Sequence, residues 1–283
     1  MVVLLLIVIG LACGSFTNAL VWRIHEQDKL DRKKKQLTKR ALSKLSIVNG
    51  RSMCPNCHHT LAAIDLIPIF SWLSLRGKCR YCHKPISIQY PIVEAMTALL
   101  FIASFYLWPM SVSGKGLFVF VLWLIFLTGF IALAIYDLRW FVLPNRIIYP
   151  LIILAVIQVI IVSTFFKGGS GLLLGSVWGA LIGGGVFYIL FQISNGRWIG
   201  GGDVKLGTLL GIIVGGPAAS ILLLFSSSLL GTLYSLPLLI TGKVKRDSKI
   251  PYGPFLLVAA MITVLFGTSI INWLKIRALL PIN

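Results

Sequence analysis

Long stretches without a charged side chain leave this chain few ways to fold. Leu117–Tyr136, Ile147–Phe166 and Leu172–Ile193 each run for about 20 residues, enough for a helix to cross the roughly 30 Å hydrocarbon layer of a membrane. Val2–Trp22, Pro91–Trp108, Val204–Gly216, Ala218–Ile240 and Phe255–Leu274 bring the candidates to eight. Val204–Gly216 is too short to cross alone, and Gly215-Gly216-Pro217 marks a turn into the next stretch. Backbone polar groups in lipid must pair within their own segment, so the fold class is an all-α polytopic membrane protein with about eight transmembrane helices. Only 12% of residues are charged, against roughly 25% in average soluble chains.

The net charge is +18, which raises nucleic acid and anionic membrane surfaces as partners. Position separates the two. With the N-terminus outside, 22 of the 26 Lys and Arg fall on the cytoplasmic side, 14 of them in Arg23–Lys84. Lys115, Lys167, Lys275 and Arg277 fall outside, an asymmetry that follows the positive-inside rule. Lys29–Arg51 carries no interleaved aromatics, so nucleic acid is not a partner; the segment is either a solvated loop or a surface for anionic membrane lipids. Met1–Gly10 has no basic residue and does not read as a cleaved signal, and Cys13 reads as an ordinary membrane-helix cysteine.

The most specific spacing is Cys54-Pro-Asn-Cys57, followed after 21 residues by Cys79-Arg-Tyr-Cys82. Paired CxxC knuckles set four thiolates around a tetrahedral ion, which suits structural Zn2+. Redox-active or metal-free thiols are the alternative. His58, His59 and His83 read as surface residues of the knuckles, because four sulfurs already fill the shell. These features define a small cytoplasmic zinc-knuckle domain in the first loop.

Carboxylates at the border of a membrane segment are costly and usually functional. Two stand out: Asp137, where one apolar run ends in AIYDLRWFVLPN, and Asp203, which follows Gly200, Gly201 and Gly202 and precedes Val204 and Lys205. The charge asymmetry puts both on the cytoplasmic side. If they meet, they share a proton, one accepting from an attacking water while the other donates to a peptide carbonyl. The glycines leave room for a peptide backbone. Helix position makes Asp203, as cap of a helix starting at Val204, the ionised base, and Asp137 the acid. Interfacial ion pairs with Arg139 and Lys205, or simple helix capping, form the competing reading. Glu94, one turn into the second span, either pairs with a basic loop residue or contacts substrate. Gly14, Ser15 and Thr17, and further on Gly175, Gly179 and Gly183–Gly185, fit close helix packing; Asn18 needs a hydrogen-bond partner. No internal repeat stands out.

In order along the chain, GSFTNALVWR, the double CxxC, IPIFSWLSLRGKCRYC, ISIQYPIVE, DLRWFVLPN, GGGDVKL and YGPFL resemble the type IV prepilin peptidases, a family of membrane aspartyl proteases. The resemblance implies that Asp137 and Asp203 are the catalytic pair and that Gly200 and Gly202 belong to the GxGD motif. Apart from the resemblance, Gly200, Gly201, Gly202, Lys205 and Glu94 are the candidates for the active-site loop and substrate contacts. The resemblance also implies zinc on Cys54, Cys57, Cys79 and Cys82, and a multi-pass protein of the bacterial cytoplasmic (inner) membrane. It implies cleavage of the basic leader from prepilins or pseudopilins at the cytoplasmic face, and N-methylation of the new terminus from S-adenosylmethionine. The implied organisation is a first transmembrane helix (1–22), a basic loop with the zinc domain and methyltransferase part (23–90), and a peptidase domain (91–283). His25 departs from the pattern, standing where a proline often closes the first motif. No Rossmann glycine fingerprint marks a methyl-donor site. A cleavage-only peptidase, a proton-coupled transporter and a non-enzymatic membrane anchor are the alternatives; the transporter requires carboxylates deep in the spans.

Overall fold

The computed structural model describes residues 1–32, 45–47, 50–166, 169–243, 245 and 250–279. Among these residues the elements are nine α-helices and one 3-10 turn, Ala63–Leu66. The helices are α1 (Val2–Arg32), α2 (Phe70–Ser74), α3 (Gln89–Tyr106), α4 (Gly114–Trp140), α5 (Asn145–Phe165), α6 (Gly169–Ser194), α7 (Gly201–Val214), α8 (Pro217–Ile240) and α9 (Gly253–Leu279). Six of them, α1, α4, α5, α6, α8 and α9, are long and apolar enough to cross a membrane. The other two expected spans correspond to α3 and α7; at 14 residues α7 covers only about 21 Å.

The contacts divide the chain into two units. One comprises Met1–Tyr106 and Leu127–Ala132, the other Leu107–Phe126 and Leu133–Asn283.

In the first unit, α1 and α3 pack antiparallel at a distance only small residues allow. A Cβ on Gly10 would lie 2.6 Å from Ala98 Cα, and one on Gly14 2.6 Å from Glu94 Cα. In the same register Asn18 finds its partner, donating to the Tyr90 carbonyl at 3.2 Å. With histidine instead of proline at 25, α1 runs unbroken to Arg32. Arg23 is buried, and its guanidinium donates to the carbonyls of Ser46, Ile47 and Gly50 at 3.1, 3.1 and 2.9 Å. This arginine therefore folds the returning chain back onto α1 instead of meeting lipid. Most of the basic segment expected at the headgroups, including Lys33–Lys35, lies outside the described residues.

In the second unit, α6 and α7 share a glycine seam. Gly175, Gly179 and Gly183 face Gly215, Gly211 and Gly207, and a Cβ on Gly175 would meet the Gly215 carbonyl oxygen at 3.0 Å. The Gly179–Gly211 and Gly183–Gly207 approaches are closer still. Sequence reading found the α6 side of this seam and missed its partner. Such backbone proximity gains packing energy in lipid, where apolar area alone drives little association.

Candidate active site

Asp137 lies in the last turn of α4. Phe141 ends that helix in a left-handed conformation, φ 54°, with its N–H on the Asp137 carbonyl at 2.8 Å. The Asp137 side chain is 6% exposed. Its Oδ2 accepts the buried N–H of Gly253 at 3.0 Å. Gly253 is the first residue of α9, so that N–H is one the helix cannot pair itself, at an end that favours negative charge. A side chain there has no room, since a Cβ would sit 2.6 Å from Asp137 Oδ2. Tyr252 secures the preceding position, its hydroxyl 2.8 Å from Ser227 Oγ and its ring edge-on to Phe187.

Asp203 does not cap a helix starting at Val204. The helix begins at Gly201, with Gly200 as its cap, so Asp203 sits inside the first turn. Its Oδ2 reaches back to the Gly200 N–H at 3.2 Å, while its own N–H donates to the Gly200 carbonyl at 3.0 Å. Burial pushes the Asp203 carboxyl up to about 6, the Asp137 charge pushes the same way, and the Gly200 N–H only partly offsets them. The two carboxylates are thus electrostatic neighbours. Leu143 lies between their supports: a Cβ on Gly202 would meet its Cβ at 3.1 Å, and one on Gly253 its Cδ2 at 3.6 Å. Gly200 and Gly201 have no such tight neighbour.

The ion-pair reading finds no support. Lys205 Nζ donates to Asn145 Oδ1 at 2.8 Å and stands over the Tyr149 ring, tying α7 to the start of α5. Arg139 lies over Trp140. Among the described residues neither aspartate has a salt-bridge partner. Both occupy helix ends, unlike a relay buried mid-span. Gly253 is the member sequence reading missed; the YGPFL segment was noted, but a glycine gives no chemical signal of its own. Replacing Gly253 with alanine is expected to displace the Asp137 carboxylate and, if Asp137 acts as the resemblance implies, to lower kcat/KM about 100-fold in a peptide-cleavage assay. Gly171→Ala, at a position open on all sides, serves as the neutral comparison.

Glu94 belongs to the N-terminal unit and is 6% exposed. Its Oε2 accepts the Ile69 N–H at 2.7 Å, and the Ser15 hydroxyl also bonds to the carboxylate. Among the described residues no basic side chain pairs with it, against one of its two expected roles.

Cys54, Cys57, Cys79 and Cys82 come together, with all four sulfurs within 4.8 Å of one another. The Cys54 and Cys82 sulfurs are 3.9 Å apart. Tetrahedral Zn2+ with bonds of about 2.3 Å needs sulfurs about 3.8 Å apart, so the residues fit such an ion. Two nearly identical turns create the cluster, a local duplication that the amino acids alone did not reveal. His58 donates to the Cys54 carbonyl as His83 does to that of Cys79, both at 2.9 Å and both with φ 56°. Cys54 N–H bonds to the His59 carbonyl, and Cys79 N–H to that of Lys84. Burial opposes the Cys79 thiolate. The N–H groups of Cys82 and Tyr81 and the neighbouring thiols outweigh it, and bring that thiol down to about 7. The three histidines are exposed, and His59 stacks on Tyr81.

Residues 8–108 match the Bacterial Peptidase A24 N-terminal domain, and residues 124–236 match the Type IV leader peptidase family. A prepilin leader peptidase/N-methyltransferase of Dichelobacter nodosus is 31% identical over 279 residues, covering 92% of this chain and 90% of the relative. Proteins of the same name from Bacillus subtilis and Aeromonas hydrophila are 34% and 32% identical, over 81% and 79% of this chain and 87% and 74% of theirs. No solved structure is significantly similar to the chain. Two family regions in order and relatives matched over most of their length agree with a site built from a pair of membrane-border aspartates: the chain belongs to the type IV leader peptidase family.

Proposed function

We propose that this chain is a membrane aspartyl endopeptidase that removes the basic leader of type IV prepilins or pseudopilins and then N-methylates the new N-terminus. The observation that carries the peptidase reading is the convergence of Asp137 and Asp203, both free of cationic partners among the described residues. Two close carboxylates retain one proton between them until the pH rises past about 6, where Asp203 gives it up. Burial and the Asp137 charge favour that proton on Asp203, and the Gly253 N–H at the α9 end is bonded to the Asp137 carboxylate. The roles proposed are the reverse of those expected from sequence. Asp137 takes a proton from the water that attacks the peptide carbon, and Asp203 gives its proton to the carbonyl oxygen. When the resulting tetrahedral carbon collapses, its C–N bond breaks, the departing nitrogen takes up the proton Asp137 gained, and one hydroxyl proton returns to Asp203 as the carbonyl re-forms. The Gly253 and Gly200 N–H groups hold the two carboxylates, and the open flank at Gly200 and Gly201 admits the peptide.

The positive-inside asymmetry supports an N-terminus outside and an active site at the cytoplasmic face of a bacterial inner membrane. The basic segment after α1 is read as a partner for anionic lipid, leaving leader recognition to the acidic site itself. Cys54, Cys57, Cys79 and Cys82 would hold Zn2+ in a closed four-sulfur shell, which leaves no open position for catalysis and gives the metal a structural role. S-adenosylmethionine, when bound, supplies an electrophilic methyl group.

The test incubates purified protein with a synthetic prepilin and a methyl-labelled donor, scoring cleavage and label separately by mass. Both products are expected. Cleavage without label retains the peptidase and removes the methyl-transfer half; no cleavage by the wild type overturns the whole reading.

A further inference from the structure

Several segments of the N-terminal unit surround one cavity of about 120 Å3. α1 contributes Ser15 and Trp22, α2 contributes Trp72, α3 contributes Tyr90 and Glu94, and the cysteine knuckles close one wall. Asp65 and Arg80 also reach it, neutralising each other at 2.7 Å, and Arg23 lines it too, with its guanidinium engaged by the Ser46, Ile47 and Gly50 carbonyls rather than by a carboxylate. That leaves Glu94 as the cavity's carboxylate without a cationic partner among the described residues, in a chain with only 8 acidic residues against 26 basic ones. A deeply buried carboxylate is costly unless a positive charge joins it.

The backbone is strained to hold this group. Ile69, a β-branched residue, has φ 62° and ψ −51°, and Phe70 N–H bonds across it to the Pro68 carbonyl at 2.6 Å. This is the positive-φ γ-turn, which is rare and unfavourable, and it aims the Ile69 N–H at Glu94. Such strain persists where a site requires it. The same cavity is lined by two tryptophans and a tyrosine, ring types whose faces attract cations.

We propose that this cavity receives the sulfonium end of S-adenosylmethionine, with Glu94 as its counter-charge and Trp22, Trp72 and Tyr90 as its aromatic wall. The inference rests on the methyl-transfer reading above. The relatives' names carry two activities, and the leader peptidase region, 124–236, already contains Asp137 and Asp203. The second activity is thus left to the region 8–108, which contains every residue named for the cavity. A volume of about 120 Å3 takes one arm of the donor, not the whole molecule.

The test measures binding, with no prepilin present. Full-length protein in nanodiscs is dialysed to equilibrium against labelled S-adenosylmethionine and, separately, S-adenosylhomocysteine, whose sulfur is uncharged. Glu94→Gln keeps an oxygen for the Ile69 N–H but loses the charge, and is expected to weaken binding of the sulfonium about tenfold or more while the thioether is far less affected. Ser71→Phe, which fills the cavity from α2, is expected to remove binding of both. Zinc content and thermal melting matching the wild type verify that both variants are folded. Unchanged sulfonium binding by Glu94→Gln, or equal weakening of the two ligands, overturns the assignment. So does a basic leader peptide that competes with the labelled donor, which would move Glu94 to leader recognition. Lack of donor binding by the wild type also overturns the cavity. The methyl-transfer reading stands or falls separately, on label transfer to prepilin.

Discussion

Asp203→Asn abolishes leader cleavage and yields a protein more stable than the wild type at neutral pH. The loss in kcat/KM is expected to be about 10⁴-fold or greater, because removing a member of a catalytic unit eliminates a step and not merely a contact. Asp137→Asn should lose as much. The stability half follows from the direction of the Asp203 shift. An unfolded aspartate titrates near about 3.9, whereas the folded one is pushed up to about 6. The folded state therefore binds more protons between those values, and stability falls as pH rises through that window. Asparagine never ionises and escapes the loss. Its advantage in Tm is full above about pH 6 and vanishes below about pH 4. Scanning Tm against pH in one detergent, alongside a cleavage assay, checks both halves. A variant that still cuts would end the catalytic assignment. One whose Tm tracks the wild type at every pH would end the claim that the carboxylate is strained by burial.

Cys79→Ser is the second large effect. Cys79 is buried and belongs to a cluster whose two turns contribute two sulfurs each. Neither turn has an apolar core of its own, and structural zinc contributes about 10–16 kcal/mol of binding energy to such folds. The substitution is expected to lower bound zinc from one per chain to near zero. It should also open residues 52–86 to protease and eliminate donor binding. Trp72 reports the same event by fluorescence, since it packs beneath Gly77 and donates to the Ile86 carbonyl at 3.2 Å. Metal analysis of wild type and variant decides it. A wild type that purifies without zinc yet resists protease equally well contradicts the structural role.

What could be read from the residues was whatever carried a strong penalty. Asp137 and Asp203 were visible because charge at a membrane border demands a reason, and the cysteines because their spacing matches a tetrahedron. Gly253 was not, because its contribution is a backbone N–H and an absent side chain. The start of α7 was misplaced for a related reason: Gly201 and Gly202 are poor helix formers, and only the bond from Gly200 N–H to the Asp203 side chain accounts for their helical state. The Glu94 partner was hidden in IPIF, an apolar run whose strained turn has no signature in composition. The spans were legible to within a few residues, apart from the ten that α1 adds beyond Trp22.

The glycine seam also bears on motion. Where two main chains touch with no side chains between them, sliding or rotation has no compliant layer to absorb it, so α6 and α7 must travel as one piece. Asp203 rides on that piece and Asp137 does not. Any adjustment of the gap between the carboxylates as a peptide enters would then be a movement of that whole piece against the α4 and α9 ends. A methyl group added along the seam is expected to act at a distance, shifting one half of the proposed catalytic pair without touching it.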